Sequence, residues 1–239
     1  MRERSSDSVR ARVRVWVARL DEEPPTPAAL AAVLTDEERH RAAAIASAVQ
    51  RRRFVVGRGV LRALLAAAMR CPPQEVAIVR PGHGKPTVVG RAGAAGRPPQ
   101  FNVSHSEGLL VVAIGADTGV GVDIERLRRL RDPEALAARV LAPEERAAFD
   151  GAPDRDAALL ERWTGKEAVL KGLGDGLAGD PAAVVVDAVG PDPRARAVRI
   201  GGVGSPWHVR SLTPAPGYVG AVAAPCPGFS LQVRSWTAP

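Results

Sequence analysis

Residues 109–125 read LLVVAIGADTGVGVDIE, and this stretch sets the fold. Leu109–Ile114 is an apolar run of strand length, Asp117-Thr118-Gly119 is a turn, and Val120–Ile124 is a second run. The pattern predicts a β-hairpin. On its second strand Val122 and Ile124 point to one side, toward a core, and Asp123 and Glu125 point to the other. Two carboxylates side by side repel each other unless solvent or a cation separates them. The pair is therefore either two solvated acids at a strand end or a ligand set for a hard divalent cation.

Working outward, the C-terminal side from Pro133 to Lys171 reads as mostly helical, with breaks near Pro143 and Pro153. Short strands follow at Ala183–Val186, His208–Leu212, Val219–Ala223 and Ser230–Val233, between Gly/Pro turns. On the N-terminal side, Val9–Leu20 alternates with period 2, with Val13, Val15 and Val17 on one side and Arg12, Arg14 and Trp16 on the other. Thr35-Asp36-Glu37-Glu38 is a capping box. It opens a helical stretch in two pieces that reaches about Met69 and carries a basic cluster of Arg51, Arg52, Arg53, Arg58 and Arg62. Val76–Val79 reads as a short strand, Pro81–Pro86 as a turn-rich loop and Gly90–Pro99 as a low-complexity insert. Strand, helices, hairpin, helices, strands is an α+β order. A boundary near 115–120 divides the chain into halves 1–117 and 118–239, each with strands and helices.

The 239 residues are 46% hydrophobic, so a folded core is expected, and with 4% aromatics that core must be built from Ala, Val, Leu and Ile. A formal charge of +7 favours anionic partners. Cys71 and Cys226 lack a CxxC partner and read as reduced thiols. The first residues carry no apolar signal region, and no run approaches the roughly 18 apolar residues of a membrane span. The expectation is a cytoplasmic protein with no membrane partner.

Four further patterns can carry chemistry. In Trp163-Thr164-Gly165-Lys166-Glu167-Ala168-Val169-Leu170-Lys171, Trp163, Glu167 and Lys171 share one helical face. The face is either an ordinary i,i+4 ion pair or a functional surface. Gly165 lowers helix propensity and points to close packing or ligand approach, and Gly172-Leu173-Gly174-Asp175-Gly176 ends the helix. Phe101-Asn102-Val103-Ser104-His105-Ser106 places a histidine just before a strand, and Gly84-Lys85-Pro86 places a lysine in a rigid loop. Each is a solvated side chain or a phosphate contact.

In combination, FNVSHS, GVDIE and WTGKEAVLKGLGDGL, in this order and spacing, resemble the 4'-phosphopantetheinyl transferase superfamily. The likeness is to its longer, surfactin-synthetase-type branch, through the Trp-x-x-Lys-Glu-Ala form of the last motif, and it runs from about Leu34 to Leu177. The resemblance implies a pseudo-dimer of two similar α+β halves with coenzyme A in the cleft between them. It implies Mg²⁺ at Asp123, Glu125 and Glu167, with Glu167 also available to deprotonate the attacking serine, directly or through water. Lys171 matches the lysine beside the coenzyme A phosphates. His105, Arg41 and Arg53 match the surroundings of the 3'-phosphate. Arg80, Gly84 and Lys85 match the loop at the adenosine end, with Ser104 beside it. The implied reaction moves the phosphopantetheine arm to an apo acyl, peptidyl or polyketide carrier protein of acidic character and releases 3',5'-ADP. The implied setting is polyketide or nonribosomal peptide biosynthesis in secondary metabolism, and the implied state is a monomer.

Three other classes of protein suit parts of this pattern. A basic nucleic-acid-binding protein suits the charge, but the chain has four Phe and one Tyr and shows no nucleic-acid motif. A catalytically silent coenzyme A-binding relative is disfavoured by intact Asp123, Glu125, Glu167 and Lys171. A magnesium-dependent phosphohydrolase would consume coenzyme A without any carrier protein.

Overall fold

The computed structural model describes residues 11–22, 27–82, 84–90, 93, 96–174, 179–187 and 196–238. The start of the expected first strand (Val9, Arg10), Pro24 and Pro25, His83, parts of the 90–99 insert, and Asp175 and Gly176 lie outside the described residues.

The chain runs β1 (Arg12–Arg19), α1 (Pro27–Ala31), α2 (Asp36–Ala43), α3 (Ala48–Met69), β2 (Ala77–Val79), β3 (Thr87–Val89), β4 (Gln100–Ser106), β5 (Leu109–Gly115) and β6 (Gly121–Arg126). It continues through α4 (Pro133–Val140), α5 (Arg146–Asp150), α6 (Arg155–Leu173), β7 (Val184–Val186), β8 (Arg196–Ile200), β9 (Val203–Leu212), β10 (Tyr218–Ala224) and β11 (Ser230–Ser235). The capping box closes as expected: the Glu38 amide donates to Thr35 Oγ1 at 3.2 Å and the Thr35 amide to Glu38 Oε2 at 3.0 Å. Both cysteines are free thiols. No described helix is long and apolar enough to cross a membrane.

The expected hairpin does not form. β5 pairs antiparallel with β1 and β4 in a four-stranded sheet ordered β11-β1-β5-β4. β6 instead pairs with β10, in a five-stranded sheet ordered β6-β10-β9-β8-β7. The reason lies in β5, whose seven residues are all buried. Leu110, Val112 and Ile114 face α3, joining Val56, Val60 and Leu65, while Leu109, Val111 and Ala113 face the second sheet, joining Val122, Val222 and Phe229. A strand covered on both faces and paired on both edges leaves β6 to find its partner elsewhere. Burying each Leu, Ile or Val side chain contributes about 1.5–3 kcal/mol.

The layers are therefore α3, first sheet, second sheet and α6. The alternation expected for β1 holds: Val13 and Val15 enter the inter-sheet core and Ala18 the α3 core. The same alternation in β10 sends Val222 and Ala224 between the sheets and Ala221 and Ala223 against α6. β11 pairs in parallel with β1, so the chain returns to the first sheet at its end. β3, β4, β8 and α1 are elements that the sequence reading did not place.

Candidate active site

β6 and α6 approach each other more closely than most helix–strand pairs allow. A Cβ on Gly121 would lie 1.8 Å from the Ala168 carbonyl oxygen, and one on Gly172 would lie 2.4 Å from the Trp207 ring. These two glycines, rather than Gly165, are the close contacts. A Cβ at Gly165 would meet Val186 and Val209 at an ordinary 3.7 Å. α6 is further anchored by a buried ion pair, Lys166 Nζ to Glu145 Oε2 at 2.6 Å, with Pro181 O accepting a second bond at 3.1 Å. Its C-cap is Gly174 at φ 104°, the left-handed position that glycine accepts without strain.

This contact places Asp123 of β6 near Glu167 and Lys171 of α6. Asp123 Oδ1 accepts from Lys171 Nζ at 2.6 Å and from Ser104 Oγ at 2.8 Å. Asp123 Oδ2 and Glu167 Oε2 are buried with no hydrogen-bond partner. Burial, and then the neighbouring Asp123 carboxylate, push the Glu167 carboxyl up to about 7. Burial also raises Asp123, against the pull of Lys171. Glu125 is half-buried, and its Oε2 accepts from Ser106 Oγ and from an Arg128 nitrogen, each at 3.1 Å. Among the described residues no three His, Cys, Asp or Glu side chains form a ready metal cluster. The donor chemistry nevertheless fits a magnesium site. Buried carboxylate oxygens without partners are hard donors, and Mg²⁺ is often held by one or two carboxylates plus substrate phosphates.

A second feature lies along β4, a cavity of about 430 Å³ whose basic lining includes Arg41, Arg53, Arg58, Arg80 and His105. Phe54, Phe101, Val103 and Leu110 give it apolar wall. Four expected cofactor-binding residues, Arg41, Arg53, Arg80 and His105, thus meet in one pocket. Arg41 stacks over the Phe54 ring at 5.3 Å. Arg53 forks onto Asp21, at 2.9 and 2.6 Å, and so reaches the pocket already paired. Arg58, which the sequence reading left within a general basic cluster, pairs with Glu38 at 3.4 Å, and burial lowers its pKa. Its signal was available: Phe54 and Arg58 are i,i+4 and share the face that lines the cavity. Gln50 and Asn102 also line it without having been singled out.

Four expected cofactor-binding residues do not line this pocket, among them Lys171, which is paired with Asp123. Ser104 is buried and holds Asp123. Gly84 closes a turn, its amide donating to Pro81 O at 2.9 Å. Lys85 Nζ donates to Val120 O at 2.7 Å and to Gly172 O at 3.5 Å, where burial pulls its pKa down to about 8. Their neighbour Pro86 does reach the cavity wall. β4 joins the two features through its period-2 alternation, with Val103 and His105 on the pocket and Ser104 and Ser106 on the acids.

Comparison with known proteins gives the arrangement a family. The family model described as 4'-phosphopantetheinyl transferase superfamily matches residues 119–223, and that described as 4'-phosphopantetheinyl transferase, N-terminal, matches residues 24–117. The 4'-phosphopantetheinyl transferase HetI of Nostoc sp. is 34% identical over 188 residues, covering 78% of this chain and 75% of that one. The L-aminoadipate-semialdehyde dehydrogenase-phosphopantetheinyl transferase of Schizosaccharomyces pombe is 32% identical over 143 residues, 53% of this chain and 54% of that one. The 4'-phosphopantetheinyl transferase AcpT of Salmonella typhi is 34% identical over 128 residues, 53% of this chain and 60% of that one. Two adjoining family matches and a relative aligned over most of both chains lead to one conclusion: the chain belongs to the 4'-phosphopantetheinyl transferase superfamily, in its long form, and is an enzyme of that class.

Proposed function

We propose that the protein transfers the 4'-phosphopantetheine arm of coenzyme A to a serine of an apo acyl, peptidyl or polyketide carrier protein, with Mg²⁺, and releases 3',5'-ADP. The observation that carries this reading is the alternation of β4. One face of the strand supplies His105 to an arginine-lined pocket. The other supplies Ser104 to buried acids with unpartnered oxygens. A ligand with a phosphorylated nucleoside at one end and a pyrophosphate a few bonds away suits that layout.

His105, Arg41 and Arg53 would hold the 3'-phosphate and its surroundings, and Arg80 would meet the adenosine end, with Gly84 and Lys85 shaping the loop that follows it. Lys171 would turn part of its charge toward the pyrophosphate. The acceptor serine Oγ attacks the β-phosphorus. The bond from that phosphorus to the bridging oxygen breaks, and the oxygen leaves on 3',5'-ADP. Glu167 takes the serine proton directly or through water. Asp123 and Glu167, with Glu125, would hold Mg²⁺, which when bound neutralises charge on the pyrophosphate and the leaving group. Phosphoryl transfer otherwise depends on positioning, which these fixed side chains provide.

Beyond Glu125 the chain exposes Arg126, Arg128, Arg129 and Arg131, a positive edge suited to an acidic carrier. The same reading places the enzyme in the cytoplasm as a monomer serving polyketide or nonribosomal peptide biosynthesis. The test is intact-protein mass spectrometry of an apo carrier incubated with the enzyme, coenzyme A and Mg²⁺. A gain of one phosphopantetheine arm, abolished by chelator, is expected. Coenzyme A breakdown that proceeds equally without any carrier would replace this reading with a hydrolase.

A further inference from the structure

β4 and β6 are facing edges of two different sheets, and no backbone ladder joins them. Three side chains of β4 do the joining. Asn102 Oδ1 accepts the Val122 amide at 3.0 Å, Ser104 Oγ the Ile124 amide at 3.3 Å, and Ser106 Oγ the Arg126 amide at 3.1 Å. Acceptors at i, i+2 and i+4 of one strand meet donors at i, i+2 and i+4 of the other. Because Val122 and Ile124 are buried, their amides would otherwise be stranded without water.

Each serine hydroxyl carries one proton and two lone pairs. With a lone pair committed to a β6 amide, the proton is free for a second partner, and in both cases that partner is a carboxylate. Ser104 donates to Asp123 Oδ1 at 2.8 Å, and Ser106 donates to Glu125 Oε2 at 3.1 Å. The same oxygen therefore fixes the strand register and the carboxylate beside it. Asp123 has a second strong holder in Lys171. Glu125 has Arg128, whose side chain is 50% exposed, and solvent-exposed ion pairs hold geometry weakly.

We propose that Ser106 is a positioning residue. It orients the Glu125 carboxylate toward the cation site and registers β6 against β4, so that removing its hydroxyl weakens divalent-cation binding through Glu125. The inference rests on the proposed metal role of the acids. Hydrogen-bond partners of metal-ligating carboxylates commonly change metal affinity by about 10–100-fold when removed. A half-buried site with Arg128 as a second partner belongs at the lower end of that range.

The test is Mn²⁺ binding to the full chain, followed by the electron-paramagnetic-resonance signal of free Mn²⁺, for wild type, Ser106→Ala, Ser106→Thr, Glu125→Ala and the Glu125→Ala/Ser106→Ala pair. Ser106→Ala should raise the Mn²⁺ Kd about tenfold. Ser106→Thr, which keeps the hydroxyl, should stay within about twofold of wild type. Ser106→Ala should add nothing once Glu125 is gone, which a merely structural role would not produce. An unchanged Kd in Ser106→Ala, a threonine variant as weak as the alanine, or additive losses in the pair would each overturn the proposal. If Ser106→Ala does not fold, Ser106→Cys keeps the volume with a weaker donor, and an unchanged Kd there overturns it equally. A wild type that binds coenzyme A but no Mn²⁺ would remove the metal reading and this inference with it. A wild type that binds Mn²⁺ while the serine variants match it would remove the inference alone.

Discussion

The pocket and the acid cluster lie on opposite faces of the same strand, yet they are built by opposite rules. The pocket uses basic side chains, of which Arg41, Arg80 and His105 are exposed and Arg53 and Arg58 half-buried. The acid cluster centres on two buried carboxylates, Asp123 and Glu167, on a strand and helix in contact through glycine. Binding a phosphorylated nucleoside needs charge at roughly the right places, and long flexible side chains supply it. Moving a phosphoryl group needs oxygens fixed to within a fraction of an ångström, and only a close-packed setting holds them there.

The sharpest way to break this comparison is Glu167→Gln. Transfer should fall about a thousandfold, the range for loss of a positioned base. The fold should survive and even gain at high pH. The Glu167 carboxyl sits at about 7 in the folded protein against an ordinary 4.5, so folding favours its protonated form. That contribution is full below 4.5 and is lost as pH rises through 7. At pH 8 without divalent metal, the glutamine variant should be more stable than wild type, by on the order of 2 kcal/mol, and the gap should close below about pH 4.5. Denaturant melts at the two pH values check it. A gap that widens on acidification would contradict the assigned pKa.

The next largest effect concerns packing. Gly121→Ala puts a methyl 1.8 Å from the Ala168 oxygen and should cost about 3 kcal/mol or more. Gly57→Ala on the pocket side puts one at 3.7 Å from Leu20, an ordinary contact, and should be neutral or stabilising by up to about 1 kcal/mol through helix propensity. Equal losses at both positions, measured by thermal unfolding, would erase the contrast. His105→Ala should raise the KM for coenzyme A about tenfold, and less for 3'-dephospho-coenzyme A, because the lost contact is worth about 1.4 kcal/mol. An equal rise for both substrates removes the 3'-phosphate from His105. The smallest effect is at the positive edge. Arg129→Ala should lower carrier kcat/KM about threefold at low salt and leave it unchanged at high salt, as screening predicts for an exposed charge.

Much of this was legible in the sequence because it is local. The capping box, the period-2 faces of β1 and the Gly174 helix end depend on neighbours in the chain, and each appears where its residues point. The sheet partner of β6 was not legible. Two apolar runs around Asp117-Thr118-Gly119 look like a hairpin, and nothing nearby announces that β6 will pair with β10, nearly a hundred residues later. The signal for β4 was present in the period-2 alternation of Phe101 and Val103 with three polar residues, Asn102, Ser104 and Ser106. They serve the seam with β6, and two of them are buried there rather than facing water. The acids could be nominated from spacing, and the motif resemblance added roles. Their unpartnered oxygens, the Lys171 contact and the Glu125–Ser106 bond exist only once two sheets and a helix have met.

The division of labour between the two faces of β4 is tested most directly by titrating coenzyme A into Glu167→Gln and His105→Ala under metal-free conditions. The account predicts a Kd within about threefold of wild type for Glu167→Gln and about tenfold weaker binding for His105→Ala. The reverse pattern, with binding lost at Glu167 and kept at His105, would contradict it.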